Sequence, residues 1–228
     1  MSFAIIRQYA VLWGNMNGAG QGRFEDLDSL VRFVDELALF HFWSDVNRGR
    51  QEAGRSGEQY HRRQYIRAFF AWIEGTCFGL KQLALLSRNV QFSDAERSLL
   101  AEKSYTLTDA GGVATNAAHI KTEQNIKFAF AMYAKSAGLE YALPVREEGW
   151  ACLKKSLRVR DRLTHPKLKT DLSVSDEDFA NAELAHDWLN ATWHELRERT
   201  IDKIMYDQGL SAEDMRKFRE YRRRLDGR

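Results

Sequence analysis

The sequence predicts an all-α protein: a helical bundle with a small loop or hairpin insertion and an extra C-terminal helix. Three observations predict it. Only 2 prolines and 15 glycines fall among 228 residues, so few breakers interrupt the chain. Apolar residues recur at three- and four-residue steps over long stretches, the period of one helix face. Apolar residues make up 44% and charged residues 29% of the chain, a globular composition with enough apolar material for a core. The length suits one large domain. The simplest organisation is a single domain over residues 1–228, with a core at about 26–206 and a C-terminal helical extension at about 211–226.

Taken in order, residues 1–20 are ambiguous. Phe3, Ile5, Tyr9, Val11 and Trp13 alternate roughly with period two and permit a short strand, and Asn15 to Gly20 reads as loop. A helix is predicted over about 26–46 from Leu27, Leu30, Val31, Val34, Leu37 and Ala38. Arg48 to Gly57 reads as a polar, glycine-containing connection. The second helix spans about 58–87, with Ile66, Phe69, Phe70, Ile73, Cys77, Leu80 and Ala84 on one face and Trp72 and Phe78 off it. A helix apolar on two sides is central or lies at a subunit interface. Ser93 and Glu96 form a capping box that opens a short helix ending near Lys103. Residues 104–118 read as a hairpin or a loose loop. Further helices are predicted at about 120–135, ending near Gly138, and at about 145–163, between Pro144 and Pro166. A linker at 167–175 leads into a long helix at about 177–207, whose buried stripe is Ala182, Ala185, Leu189, Trp193 and Leu196.

Bulk charge points to no partner class, since 34 basic residues face 32 acidic ones. Cys77 and Cys152 lie in apolar-periodic stretches and read as buried, reduced thiols. No Cys-x-x-Cys spacing supports a cysteine zinc site. The N-terminus lacks the basic region of a signal peptide. No apolar run of about 18 residues offers a membrane span. A cytoplasmic protein with no membrane partner is the default expectation.

The helix before Pro166 breaks its own pattern. Wound at about 100° per residue, Trp150, Leu153, Leu157 and Thr164 fall on one side, widened by Ser156, Val159 and Leu163. Ala151, Lys154, Lys155, Arg158 and Arg162 fall on the opposite, solvated side. Arg160 falls near the middle of the apolar arc and Asp161 near its edge. An inward guanidinium is costly unless it is paired or opens into a cleft. Pro166 bars His165 from the α region, so the helix ends at about Leu163 or Thr164. His165 then sits just past the C-terminus, where the helix dipole favours a cation. One explanation is an ion pair of Arg160 and Asp161 with each other or with Glu74, His165 serving as a C-cap. The other is a site.

Arg160, Asp161, Arg162, Leu163, Thr164 and His165 together resemble the signature of HEPN-domain proteins, a superfamily of nucleotide-binding helical domains. The motif is an arginine, four to six residues and a histidine, with a polar residue after the arginine, at the end of a long helix. The local resemblance covers about residues 145–167 and the bundle-level resemblance about 26–206. It implies a metal-independent endoribonuclease acting as a toxin or defence effector. It also implies a homodimer with two motifs facing one cleft, RNA as substrate, and a cognate antitoxin or regulatory protein as a further partner. No metal and no cofactor are implied. Lys167 stands where some of these toxins carry a tyrosine that a partner modifies with AMP, so that control is not expected.

Metal-free RNA cleavage needs a group titrating near neutrality and a fixed cation. His165 is the candidate acid–base and Arg160 the phosphate stabiliser, with Asp161 orienting one of them. Glu74 is a further catalytic candidate, or a carboxylate paired with Arg67. Arg162, Arg222 and Arg223 are candidate RNA contacts. The last two lie on a basic helix face with Arg216, Lys217, Arg219 and Arg224, a pattern equally read as a solvated face. Two rivals remain. Glu58 with His61 and Glu183 with His186 are Glu-x-x-His pairs of the kind a di-iron bundle uses, though Glu183 points away from the buried stripe. The other is a non-catalytic module of the same fold, binding RNA or a protein partner, since Arg160 and His165 can bind phosphate without turnover.

Overall fold

A computed structural model describes residues 39–87, 90–207 and the isolated positions Glu213 and Arg216. Six α-helices and one two-stranded sheet lie among these residues: α1 (Leu39–Ser56), α2 (Gln59–Leu86), α3 (Asp94–Leu100), β1 (Lys103–Leu107), β2 (Val113–Ala117), α4 (Thr122–Ser136), α5 (Glu148–Thr164) and α6 (Asp176–Asp207). A short 3-10 turn, Lys169–Leu172, lies between α5 and α6. The protein is mostly α-helical, as the periodicity predicts. No helix among the described residues is long and apolar enough to cross a membrane. The expected strand within 1–20, most of the helix at 26–46 and the basic helix with Arg222 and Arg223 lie outside the described residues.

The chain forms two compact units. One holds residues 39–77 and Ala142–Arg197, the other Phe78–Tyr141 and 198–207. The boundaries fall inside α2 and inside α6.

In the first unit, the expected connection at 48–57 is helical through Ser56. Gly49 serves packing: a Cβ there would lie 3.3 Å from the Tyr65 Cα, so α1 and α2 approach closely at that point. The helix stops at Gly57, whose φ of +64° suits only glycine without strain. Val46 and Ala53 of α1, Tyr65, Ile66, Phe69, Phe70 and Ile73 of α2, and Ala182, Ala185 and Leu189 of α6 are buried. Helix α5 adds Trp150, Cys152, Leu153, Val159 and Leu163. It comes so close to α6 that a Cβ at Gly149 would lie 2.1 Å from the Trp188 side chain. The Trp188 indole also donates to Glu147 at 2.8 Å.

His186 of α6 is buried within this unit, ringed by Trp43, Tyr65, Phe69 and Trp72 with centroids 5.3–6.2 Å away. Its Nδ1 lies 3.3 Å from the Tyr65 hydroxyl, which is also 3.3 Å from the Ala182 carbonyl. The tautomer with the proton on Nδ1 satisfies all three groups in series: imidazole to hydroxyl to carbonyl. It leaves Nε2 as an acceptor without a partner, less costly than a buried donor in the same state. Beside this cluster Arg50 of α1 grips α6. It donates to Asp187 at 2.6 and 2.9 Å and to Glu183 at 2.9 Å. These bonds hold the Asp187 carboxyl below its ordinary range.

In the second unit, Ser93 and Glu96 close the capping box that the sequence predicts. Ala84, Phe92 and Leu100 form a small core with Leu85, Val90, Phe128 and Met132 packed against it. Residues 103–117 form a hairpin with Tyr105 opposite Thr115 and Leu107 opposite Val113. Its apolar face is the outer one, with Leu107 80% exposed. Lys81 of α2 is buried and held by Glu102 at 2.6 Å and Asn125 at 2.9 Å. Glu102 takes a φ of +56° just before β1, a left-handed conformation unusual for glutamate. Helix α4 ends at Gly138, φ +69°.

Two measurements check this account. Glu102→Ala leaves the Lys81 ammonium short of its anion and lowers stability by about 2 kcal/mol in urea unfolding. Glu102→Gly loses the same carboxylate but relieves the left-handed backbone, and is more stable than the alanine variant by about 1 kcal/mol. Burial, aided by the Arg50 charge, pushes His186 down to about 4. The unfolded chain therefore binds a proton that the folded state refuses. Stability falls as pH drops from about 6.5 to about 4, by roughly 3 kcal/mol in all. The His186→Leu variant loses that part of the slope; an unchanged pH profile contradicts the assignment.

Candidate functional site

Helix α5 carries the site at its C-terminal end. Gly149, Trp150, Cys152, Leu153, Ser156, Val159 and Leu163 form its buried stripe. The helix ends at Thr164, and His165 is the C-cap with φ −126° and ψ 59°, as Pro166 requires. The His165 N–H donates to the Asp161 carbonyl at 3.0 Å, and the Thr164 hydroxyl donates to the Arg160 carbonyl at 2.8 Å. The first is the last bond of the helical ladder and the second a side-chain back-bond one turn up the helix.

Arg160 lies at the edge of the buried stripe, with 25% of its side chain exposed. Its guanidinium carbon sits 5.3 Å from the centre of the Phe70 ring. One terminal nitrogen donates to Glu74 at 3.3 Å, and the other lies 3.2 Å from Asp161. Phe70 and Glu74 are one helical turn apart on α2, so one face of that helix supplies both the ring and the carboxylate. The ring offers its π-face to the cation, and the two carboxylates offset the charge. Both carboxylates are about 60% exposed, so the cluster opens to water and is not a sealed pair. Glu74 pairs with Arg160 and not with Arg67 among the described residues.

The structure thus brings Arg160, Asp161 and Glu74 together. His165 is exposed beside them in sequence. No ion pair or hydrogen bond joins its ring to Glu74 or Asp161 among the described residues. Arg162 leaves the solvated face on which helical winding places it. It donates to the Ser173 carbonyl and to Asp178, both at 2.8 Å. Asp178 in turn belongs to the first turn of α6, where Ser175 and Asp178 cap each other. Arg162 is a tether between helices, and the reason lies in the return of the chain after Pro166, which helical winding does not reveal.

The rival metal pairs are used otherwise. Glu183 is held by Arg50, and His186 is enclosed by aromatic rings. His61 lies 3.5 Å from Glu52 and 3.7 Å from Glu58, on the surface. Among the described residues no group of three or more histidine, cysteine, aspartate or glutamate side chains is placed to hold a metal ion. Cys77 and Cys152 are buried and in no disulfide, as expected, and burial pushes the Cys152 thiol up.

Sequence reasoning misses the Arg50 clamp and the setting of His186. The signal available was the spacing of Glu183 and Asp187, two carboxylates one turn apart on a long helix. Comparison of the chain with protein-family models, with curated proteins and with solved structures finds no match in any of the three.

The cluster has measurable energetics. Glu74→Ala costs less than about 1 kcal/mol, because the pair is largely solvated. Arg160→Ala costs about 1–2 kcal/mol, because the cation and its stem also leave Phe70. A double-mutant cycle by urea unfolding is expected to give a coupling below about 1 kcal/mol. A coupling of several kcal/mol would mark the pair as a buried structural one.

Proposed function

We propose that the protein is a metal-independent endoribonuclease of the HEPN type, with RNA as substrate. The observation that carries this reading is a partly exposed arginine, beside an aromatic ring and between two exposed carboxylates, five residues before an exposed histidine at a helix end. Arginine presents a planar fork suited to a phosphodiester. Histidine is the side chain suited to proton transfer near neutrality.

The chemistry follows from those two groups. His165 takes the proton of a ribose 2′-hydroxyl. The freed oxygen attacks the adjacent phosphorus, and the P–O5′ bond breaks. The products are a 2′,3′-cyclic phosphate and a 5′-hydroxyl end, with a proton delivered to the leaving oxygen. In a homodimer the second copy's His165 supplies that proton. Arg160 offsets the charge that builds on the phosphorane. Glu74 and Asp161 keep the guanidinium in place before substrate arrives. Because both are well exposed, ceding one of them to water when phosphate enters costs little. A toxin or defence effector fits such an activity, as does a neutralising partner protein.

A second reading rests on the same cluster. Two carboxylates already balance Arg160, which suits a non-catalytic helical module that binds RNA or a protein without turnover.

One assay separates the readings. Purified protein is incubated with RNA in the presence of EDTA, and the new ends are characterised. Cleavage leaving cyclic phosphate and 5′-hydroxyl ends is expected. Arg160→Ala and His165→Ala each lower the rate by about 100-fold or more while keeping the helical circular dichroism. Undiminished cutting by either variant removes the assignment. Binding without cutting supports the module.

A further inference from the structure

The segment between α5 and α6 is held with unusual investment for an exposed stretch. Only Val174 within it buries a side chain fully. Its main chain is held by side chains from three directions. The Asp171 carboxylate accepts the N–H groups of Lys167 and Leu168, both at 2.8 Å. Arg63 donates to the Leu172 carbonyl at 3.1 Å, Arg162 to Ser173 at 2.8 Å and Arg62 to Val174 at 3.1 Å. Gln59 binds Val174 reciprocally, donating to its carbonyl at 3.0 Å and accepting its N–H at 2.7 Å. Three consecutive carbonyls thus each receive a guanidinium. A surface loop ordinarily leaves such groups to water.

His165 lies between these anchors. Arg162 is three residues before it, and the bonded amide of Lys167 is two residues after it. No side chain among the described residues orients the exposed imidazole. Its placement therefore depends on the backbone that carries it. We propose that this brace positions the His165 imidazole, with Asp171 and Arg162 as positioning residues for RNA cleavage. The task given to His165 rests on the nuclease reading above, but the brace's hold on the ring is measurable without RNA. A proton-transfer group displaced by even about 1 Å loses much of its rate advantage.

Asp171 is at the surface, so Asp171→Ala is expected to fold. Three readouts test it: amide hydrogen exchange at Lys167 and Leu168, the NMR signals of the His165 ring, and steady-state cleavage. Exchange at both amides should quicken about tenfold or more. The His165 ring signals should shift or broaden, and kcat should fall about tenfold with KM within about twofold. Asp171→Asn keeps an acceptor oxygen and should restore most of both effects. Arg162→Met should reproduce the ring and kcat changes. If wild type cuts no RNA yet both variants still disturb the ring, the nuclease reading fails and the brace stands. An undisturbed ring in both variants overturns the proposal. So does a disturbed ring with unchanged kcat in a protein that cuts.

Discussion

Pro166 fixes where α5 stops, and the arrangement around the motif depends on that stop. Its ring bars the preceding residue from the α region. His165 therefore leaves the helix axis at a backbone with φ −126° and ψ 59°. Arg160 is left in the last full turn, one residue past the buried Val159, at the margin between packed core and water. A helix continuing through 165 would place the imidazole on the regular helical surface. The His165 N–H still completes the last bond of the helical ladder, to the Asp161 carbonyl. The stop also forces the return segment, which the arginines of α2 and α5 then hold.

Five arginines of this unit show how charge is handled at such a margin. Arg50 meets a bidentate carboxylate and a second acid. Arg62, Arg63 and Arg162 spend at least part of their donor capacity on carbonyls of the return segment. These contacts join one piece of backbone or one helix to another, and breaking them would loosen the fold. Arg160 differs in kind. Two solvent-exposed carboxylates pair with it, and its guanidinium carbon sits 5.3 Å from the centre of the Phe70 ring. An exposed carboxylate is a replaceable partner, because water accepts it back at little cost. A phosphate offers the same fork geometry with more charge. Arg160 is paired with exposed carboxylates, whereas the other four hold backbone segments or helices together.

The long periodic elements were legible in the sequence. Ile66, Phe69, Phe70 and Ile73 recur as a helix face and are buried as one. Ser93 and Glu96 predict a capping box and form one, because such a motif is local. The end of α5 was legible for the same reason, since the restriction before proline acts on one residue. The first-unit stretch at 48–56 was not legible. Gly49 and Gly54 read as breakers, whereas the missing Cβ at Gly49 serves the close approach of α1 to Tyr65. Contacts between residues distant in sequence set that outcome. The same distinction divides the site. Winding one helix places Arg160 off the solvated face. It says nothing about Glu74 beyond naming it as one of several acids. Arg162 was misread because its partners, Ser173 and Asp178, reach it only after the chain has turned back.

Whether the cluster acts as an enzyme or as a static pair is decided by how firmly the carboxylates hold Arg160. A buried pair would keep its partners, since parting them strands a charge away from water. The exposure of Glu74 and Asp161 reduces that penalty, so parting either acid from Arg160 costs little. Phe70 matters here as much as the acids. Its ring lies beside the guanidinium carbon at 5.3 Å and adds a cation–π contact to the two acids. Replacing the arginine by lysine would keep the charge and lose the planar fork. Charge neutralisation alone does not single out arginine at this position, since a lysine between the same two acids would neutralise them equally well.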